Sequence, residues 1–368
     1  MKKSSALLFK SDDKTFHLAE FDTLKPAKRE VLLTMERSGI CGTDIHIAEG
    51  RLPLPSGEWI IGHELIGKIS ELGEASSCDG LGTPLAKGDD AIACVAIPCG
   101  KCCSCVRDEK ASCMSFGVTY MRNPSLSPHL FGGFAEALHS PAGNLVKIPK
   151  GLDLDAVAAF PCGGPTVIRA FEYAGGLETE ELVIVQGTGP LGLFATAWAA
   201  AKGCKVLAIG SGSNPKRTEL ALKLGASEVL DFRKTSREER AARIKALASE
   251  LKRGDGADLV IETSGAPDAF PEGMELVRTR GRYLVPGQYS NSGGVSIQPQ
   301  MITFRALRII GSGQYTLADI GRYLEFLKLN PGIASIFSAC VSSYKLCDWK
   351  DAFAAAKEGR NIKAVFTS

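Results

Sequence analysis

Hydrophobic and polar positions alternate in two styles along the chain. From about residue 1 to 160, short apolar runs such as VLLTM (31–35) and AIACVAI (91–97) are broken by clusters of Gly, Pro and Asp. That spacing predicts short strands closed by turns. From about 165 to 310 the apolar runs take turns with helical stretches. ELVIVQG, KVLAIG, SEVLDF, ADLVIETSG and RYLVPGQ read as strands, whereas GPLGLFATAWAAAKG, NPKRTELALKLGA, TSREERAARIKALASELKRG and a segment ending at RTRG read as helices. Strand–helix alternation of this kind predicts an α/β unit, a parallel sheet covered on both faces. After about 316 an amphipathic helix, LADIGRYLEFLKL, is followed at the end by the strand KAVFTS. The Arg/Glu-rich stretch 237–253 reads as a solvated helix face.

Length changes the picture little: 368 residues suffice for two domains. Charge excludes more. The net charge is +2 and no Lys/Arg block stands out, so neither a nucleic acid nor a membrane surface is an expected partner. The apolar stretch before Lys10 is only ALLF, too short for a signal-peptide core, and no run approaches the ~18 residues of a membrane span. A cytoplasmic protein is expected. Its thiols stay reduced there, and clustered cysteines serve as ligands or catalytic groups more often than as disulfides.

One stretch, PCGKCCSCVRDEKASC (98–113), concentrates the thiols. Cys99, Cys102, Cys105 and Cys113 follow C-x2-C-x2-C-x7-C, the close spacing of a closed tetrahedral zinc site that holds structure and leaves no position for a substrate. Four-cysteine sets also hold iron–sulfur clusters, and free thiols or a redox pair are the plainer alternatives. Cys103 has no place in a tetrahedral set.

A second motif, VIVQGTGPLG, puts Gly187, Gly189 and Gly192 in G-x-G-x-x-G spacing, with Pro190 and Leu191 between the last two. It follows a strand and opens a helix, the context in which such a turn cradles a dinucleotide pyrophosphate. An acidic residue is expected about 20 residues on to hold the ribose of NAD. Instead KVLAIG ends in GSGSNPKR, with no carboxylate from Gly210 to Arg217. Gly210, Ser211, Ser213, Lys216 and Arg217 are suited to a 2′-phosphate, so NADP is favoured over NAD. The alternative is that Lys216 and Arg217 are ordinary first-turn helix residues.

SGICGTDIHIAEG and IIGHELIG contribute Cys41 and the pair His63-Glu64. Taken with the cysteine loop and the glycine turn, in that order and spacing, they give a chain that resembles, over essentially its full length, the zinc-containing alcohol dehydrogenases of the medium-chain dehydrogenase/reductase superfamily. The resemblance implies a GroES-like β-rich catalytic domain at 1–160, carrying the structural zinc lobe 98–113. A Rossmann doubly wound parallel-sheet domain follows at 161–315, and 316–368 return to the catalytic domain.

It also implies two zinc ions per chain, one structural and one catalytic. The catalytic zinc falls to Cys41, His63 and Cys162 of AAFPCGGPT, with Glu64 approaching the metal during ligand exchange. Asp44 would orient the imidazole of His63. Thr43 would accept the substrate's hydroxyl proton and His46 pass it to solvent. Val285 and Gly287, in LVPGQ, would lie beside the nicotinamide, and Lys363 would contact the pyrophosphate. Gly42 stands where some relatives keep an arginine for that contact. Val95, Leu130 and Phe131 would line the substrate pocket, with the segment YMRNPSLSPHLFGG over it.

The activity implied is hydride transfer between a small alcohol, or its aldehyde or ketone, and NADP or NAD. The chain would assemble as a homodimer or homotetramer. Two readings compete: a zinc-free reductase of the same superfamily, and a nucleotide-binding zinc protein with lapsed catalysis.

Overall fold

The apolar runs of the middle segment form a six-stranded parallel sheet. Its strands are β1 (Leu182–Gln186), β2 (Lys205–Gly210), β3 (Ala226–Asp231), β4 (Ala257–Glu262), β5 (Val277–Val285) and β6 (Arg308–Gly311), in the order β3-β2-β1-β4-β5-β6. Every residue of β1 and β4 is buried, as expected of strands covered on both faces. Strand order reverses at β1, and in such sheets the crevice beyond the carboxyl ends at this point binds the ligand. Helices α1 (Pro190–Ala201), α2 (Pro215–Lys223), α3 (Arg237–Glu250) and α4 (Ala269–Leu276) connect successive strands. Leu182, Ile184, Leu207, Val260, Met274 and Tyr283 meet in one buried cluster.

Two details differ from the expectation. RTRG does not end a helix: α4 stops at Leu276, and Arg278 to Gly281 belong to β5. Arg278 donates to Asp258 at 2.8 Å and Thr279 N–H to Asp255 at 3.1 Å, so polar partners hold this helix-like composition in the sheet. Nor is α3 wholly solvated. It begins with a Ser236/Glu239 capping box, but Arg240 is buried with its Nε 2.6 Å from Glu272.

This computed structural model describes residues 2–288 and 290–368, which divide into two compact units, Thr166–Gly313 and the remainder on either side of it. The second unit is mainly antiparallel. A seven-stranded sheet has the order Leu145–Lys147, Asp90–Ala93, Glu64–Leu72, Glu30–Gly39, Lys363–Thr367, Val341–Lys345, with Ala137–Pro141 also pairing Glu30–Gly39. The late strand Lys363–Thr367 thus lies between an early strand and the parallel strand Val341–Lys345. A three-stranded sheet (Thr15–Asp22, Lys3–Lys10, Glu58–Trp59) and the hairpin-like pair Ala96–Ile97 and Gly117–Val118 complete it. Among the described residues no helix is long and apolar enough to cross a membrane.

Candidate metal centres and nucleotide turn

Adjacent strands and one short helix build the first metal centre. Strand Glu30–Gly39 pairs Glu64–Leu72 with Gly39 opposite Glu64, and the chain then runs through Ile40 into the helix Gly42–Ala48. Cys41 is the N-cap of that helix. Asp44, three residues on, accepts the Cys41 N–H through Oδ2 at 2.8 Å, so the carboxylate caps the helix while it is fully buried. Its other oxygen, Oδ1, lies 3.5 Å from His63 Nδ1. Nδ1 is thereby turned to Asp44 and Nε2 is left for a ligand.

Donor atoms of Cys41, His63, Glu64 and Cys162 lie within 4.8 Å of one another. Two sulfurs, an imidazole and a carboxylate on buried or half-buried residues are a donor set that suits zinc. Thr43 Oγ1 sits 3.9 Å from Cys41 Sγ, and His46 follows on the same helix.

The electrostatics of this centre follow from burial and close charges. Burial opposes charging His63, yet Asp44 and Cys41 beside it hold its pKa well above the ordinary value. Burial raises Glu64 to about 7, against the ammonium of Lys363. Lys363 is itself buried; it ion-pairs with Glu64 and donates to the Ile40 carbonyl at 3.2 Å. Gly39 makes room for that pair: a Cβ there would lie 2.1 Å from Glu64 Oε2 and 2.7 Å from Lys363 Cε. Burial, then Arg51, lowers the pKa of His46 and favours its neutral form.

The cysteine loop forms the second centre. Sγ atoms of Cys99, Cys102, Cys105 and Cys113 lie within 4.8 Å of one another. Cys99–Cys105 and Cys102–Cys113 are both 3.9 Å apart, close to the ~3.8 Å edge of a tetrahedron with 2.3 Å zinc–sulfur bonds. None of the twelve cysteines is in a disulfide. N–H groups of Cys105 and Met114 lower Cys102 to about 6, which favours thiolate. Cys103 is outside the set, exposed, against Met114 Sδ at 3.7 Å.

In the parallel-sheet unit, Gly187 and Gly189 lie between β1 and α1, and Gly189 is the N-cap with Pro190 at the first helical position. Leu191 and Gly192 continue the first turn of α1. Beyond Gly210 at the end of β2, the hydroxyls of Ser211 and Ser213 are 2.6 Å apart, and Asn214 caps α2 through the Lys216 N–H at 3.1 Å. Arg217 Nε is buried with no hydrogen-bond partner among the described residues, a donor left for a ligand. The fold also brings in a carboxylate from β3. Asp231 accepts the Arg233 N–H at 3.0 Å, and it sits where a Cβ on Gly212 would be 2.1 Å from its Oδ2.

Sequence reading missed several neighbours. Tyr120 is buried with its ring centroid 6.0 Å from that of His63. Tyr315 is also buried; burial raises its pKa well above the ordinary value, and the charges of Cys162, Cys94, Glu64 and Cys41 add to that. Neither tyrosine sits in a motif. Leu130 is fully buried among Ala6, Leu8, Leu32 and Ile60, which makes it core rather than pocket wall. His129 stacks on Phe21 at 5.6 Å, and Arg122 covers Phe131 at 4.4 Å.

Comparison with known proteins bears on both units. Residues 27–150 match the alcohol dehydrogenase GroES-like domain and residues 190–329 the zinc-binding dehydrogenase family. A 5-exo-hydroxycamphor dehydrogenase of Pseudomonas putida is 32% identical over 96% of this chain and 95% of its own. A sorbitol dehydrogenase of Halalkalibacterium halodurans is 28% identical over 98% of each. The crystal structure of an alcohol dehydrogenase from Thermotoga maritima superposes with a TM-score of 0.90 at 27% identity, covering 100% of both chains. With relatives matched end to end and both metal-type ligand sets drawn together, the chain belongs to the zinc-containing alcohol dehydrogenases of the medium-chain dehydrogenase/reductase superfamily and is an oxidoreductase.

Proposed function

We propose that the protein is an NADP-preferring zinc alcohol dehydrogenase that interconverts a small alcohol with its aldehyde or ketone. The observation that carries this reading is the convergence of Cys41, His63, Glu64 and Cys162 within 4.8 Å. Bound there, zinc supplies Lewis acidity toward the substrate's oxygen, and a bound nicotinamide supplies a partner for hydride.

The chain's own residues do the rest. Asp44 fixes the tautomer and direction of His63. Thr43 accepts the hydroxyl proton of the alcohol, and His46, kept neutral by burial, passes it to solvent. Lys363 balances the charge of Glu64. Its ammonium is engaged with Glu64 and with the Ile40 carbonyl. Gly187, Gly189, Pro190, Leu191 and Gly192 cradle the cofactor's pyrophosphate, and Val285 and Gly287 flank the nicotinamide. Gly210, Ser211, Lys216 and Arg217 receive the 2′-phosphate. Cys99, Cys102, Cys105 and Cys113 hold a second, structural zinc.

Asp231 supports a second reading, NAD, because its carboxylate beside Gly212 is a candidate partner for a ribose hydroxyl. One assay separates the possibilities: the absorbance of reduced nicotinamide with a panel of alcohols, NADP+ and NAD+ run in parallel, before and after chelation. Faster turnover with NADP+, lost on chelation, is the expected result. Preference for NAD+ would transfer the specificity to Asp231. Turnover that survives zinc removal would establish the zinc-free reductase, and nucleotide binding with no turnover would establish lapsed catalysis.

A further inference from the structure

We propose that Glu262 is a positioning residue that holds the loop beside the nicotinamide in register with the phosphate-binding turn; this rests on the reading of Thr166–Gly313 as the cofactor unit. Glu262 ends β4 and is fully buried. Its Oε1 accepts the Ser264 N–H and hydroxyl, both at 2.6 Å, and the Gly265 N–H at 2.9 Å. Its Oε2 accepts from Gln288 Nε2 at 3.2 Å, and its backbone carbonyl accepts the Gly287 N–H at 3.0 Å. The approach is close enough that a Cβ on Gly287 would lie 2.6 Å from Oε2. On the other side, Thr263 N–H and Oγ1 donate to the Gln186 carbonyl at 2.9 and 2.7 Å, one residue before Gly187. Three turns at the carboxyl edge of the sheet are therefore linked by two successive residues: the Glu262 side chain joins the turn after β4 to the loop after β5, and Thr263 joins the turn after β4 to the phosphate turn after β1.

The choice of a carboxylate is informative. Among the described residues none of its partners is a cation, and a buried charge without a counter-ion is costly unless neutral donors satisfy it. A carboxylate accepts on both arms; an amide of the same shape accepts on one and donates on the other. In E262Q the oxygen arm can still cap Ser264 and Gly265, but the NH2 arm meets the NH2 of Gln288, donor against donor. That substitution removes the side-chain tie to the loop after β5, so that the Gly287 N–H bond to the residue 262 carbonyl is left without its support, and it leaves the turn after β4 in place.

The test compares E262Q with the wild type by calorimetric titration, using NADP+ and NAD+ against their adenine-side fragments, 2′-phospho-ADP-ribose and ADP-ribose. Hydrogen exchange at residues 284–288 is followed alongside. The expected result is a roughly tenfold loss of dinucleotide affinity with fragment affinity within about twofold, and faster exchange at the Gly287 N–H. Equal weakening of fragment and dinucleotide marks a merely structural role and overturns the proposal, as does no change in either. Fragments that fail to bind the wild type overturn the cofactor-unit reading itself and the proposal with it. Should E262Q not fold, Q288L removes the Oε2 link together with the bond from Gln288 Nε2 to the Ala266 carbonyl at 3.1 Å, and faster exchange at Gly287 is required of it as well.

Discussion

Asp44 caps the helix Gly42–Ala48 with Oδ2 and presents Oδ1 to His63, and substitution by Asn separates the two contacts. In D44N the amide oxygen can keep the Cys41 N–H that Oδ2 accepts at 2.8 Å, so the helix Gly42–Ala48 retains its cap. The other arm becomes an NH2 facing His63 Nδ1, 3.5 Å away in the wild type. Nδ1 must then accept, and the ring proton moves to Nε2, the nitrogen left for the metal. Loss of such an orienting partner lowers metal affinity by about 10–100-fold, or about 1.4–2.7 kcal/mol at 1.36 kcal/mol per factor of ten. Zinc release is followed with a colorimetric chelator titrated against wild type and D44N. The wild type is expected to hold two ions per chain. In D44N one of them leaves at ten- to hundredfold lower chelator concentration, while the ion on Cys99, Cys102, Cys105 and Cys113 is unaffected and the melting temperature of the zinc-loaded protein shifts little. If both ions of D44N left at wild-type chelator concentrations, the orienting role would be refuted.

Three further outcomes are expected. Burial holds His139 below the ordinary histidine pKa, and among the described residues neither ring nitrogen has a hydrogen-bond partner, so the folded state keeps it neutral while the unfolded chain binds a proton below about 6.5. Stability is therefore fully present above that pH and declines as pH falls toward the lower folded-state pKa, and H139F flattens this part of a melting-temperature profile; an unchanged slope would assign it to other groups. R217A removes the buried donor Nε and raises KM for NADP+ by about tenfold or more while leaving KM for NAD+ within about twofold, read from steady-state rates. G39A drives a Cβ into the Glu64–Lys363 pair and costs about 3 kcal/mol or more, measured by denaturant unfolding of zinc-loaded protein; a loss below about 1 kcal/mol would show that the pair moves aside freely.

The parallel-sheet unit was legible because its strands are apolar on both faces and its helices follow at regular intervals; β1 and β4 could hardly be read otherwise. The two clusters of candidate ligands were legible because short motifs carry most of their members. Contacts made by the path of the chain were hidden. Nothing in NIKAVF says that Lys363 meets Glu64, because strand pairing with Glu30–Gly39 sets that contact. Asp231 is far in sequence from Gly212, and parallel register alone brings them together, with Gly210 opposite Asp231. Tyr120 lies in an irregular segment whose course no periodicity records. Glu262 looks like the polar end of a strand, and its role appears only when the turns after β4 and β5 are seen to share it.

The order of strands in the antiparallel sheet has a consequence for synthesis. Cys41, His63 and Cys162 all emerge from the ribosome before Thr166–Gly313, a continuous segment that forms a compact unit. The strand Lys363–Thr367, which closes the sheet beside Glu30–Gly39, comes only afterwards, and Lys363 joins Ile40 across 323 residues of sequence. Loop closure over that distance is much easier once the intervening segment is folded and its ends are fixed. Until then Glu64 has no ammonium beside it, so the nascent chain carries the ligands of the first centre without its charge balance. On the reading of both clusters as zinc sites, the cysteine loop, whose candidate ligands are all local, is the one complete early in translation, while the surroundings of the first cluster are completed only when the last strand pairs.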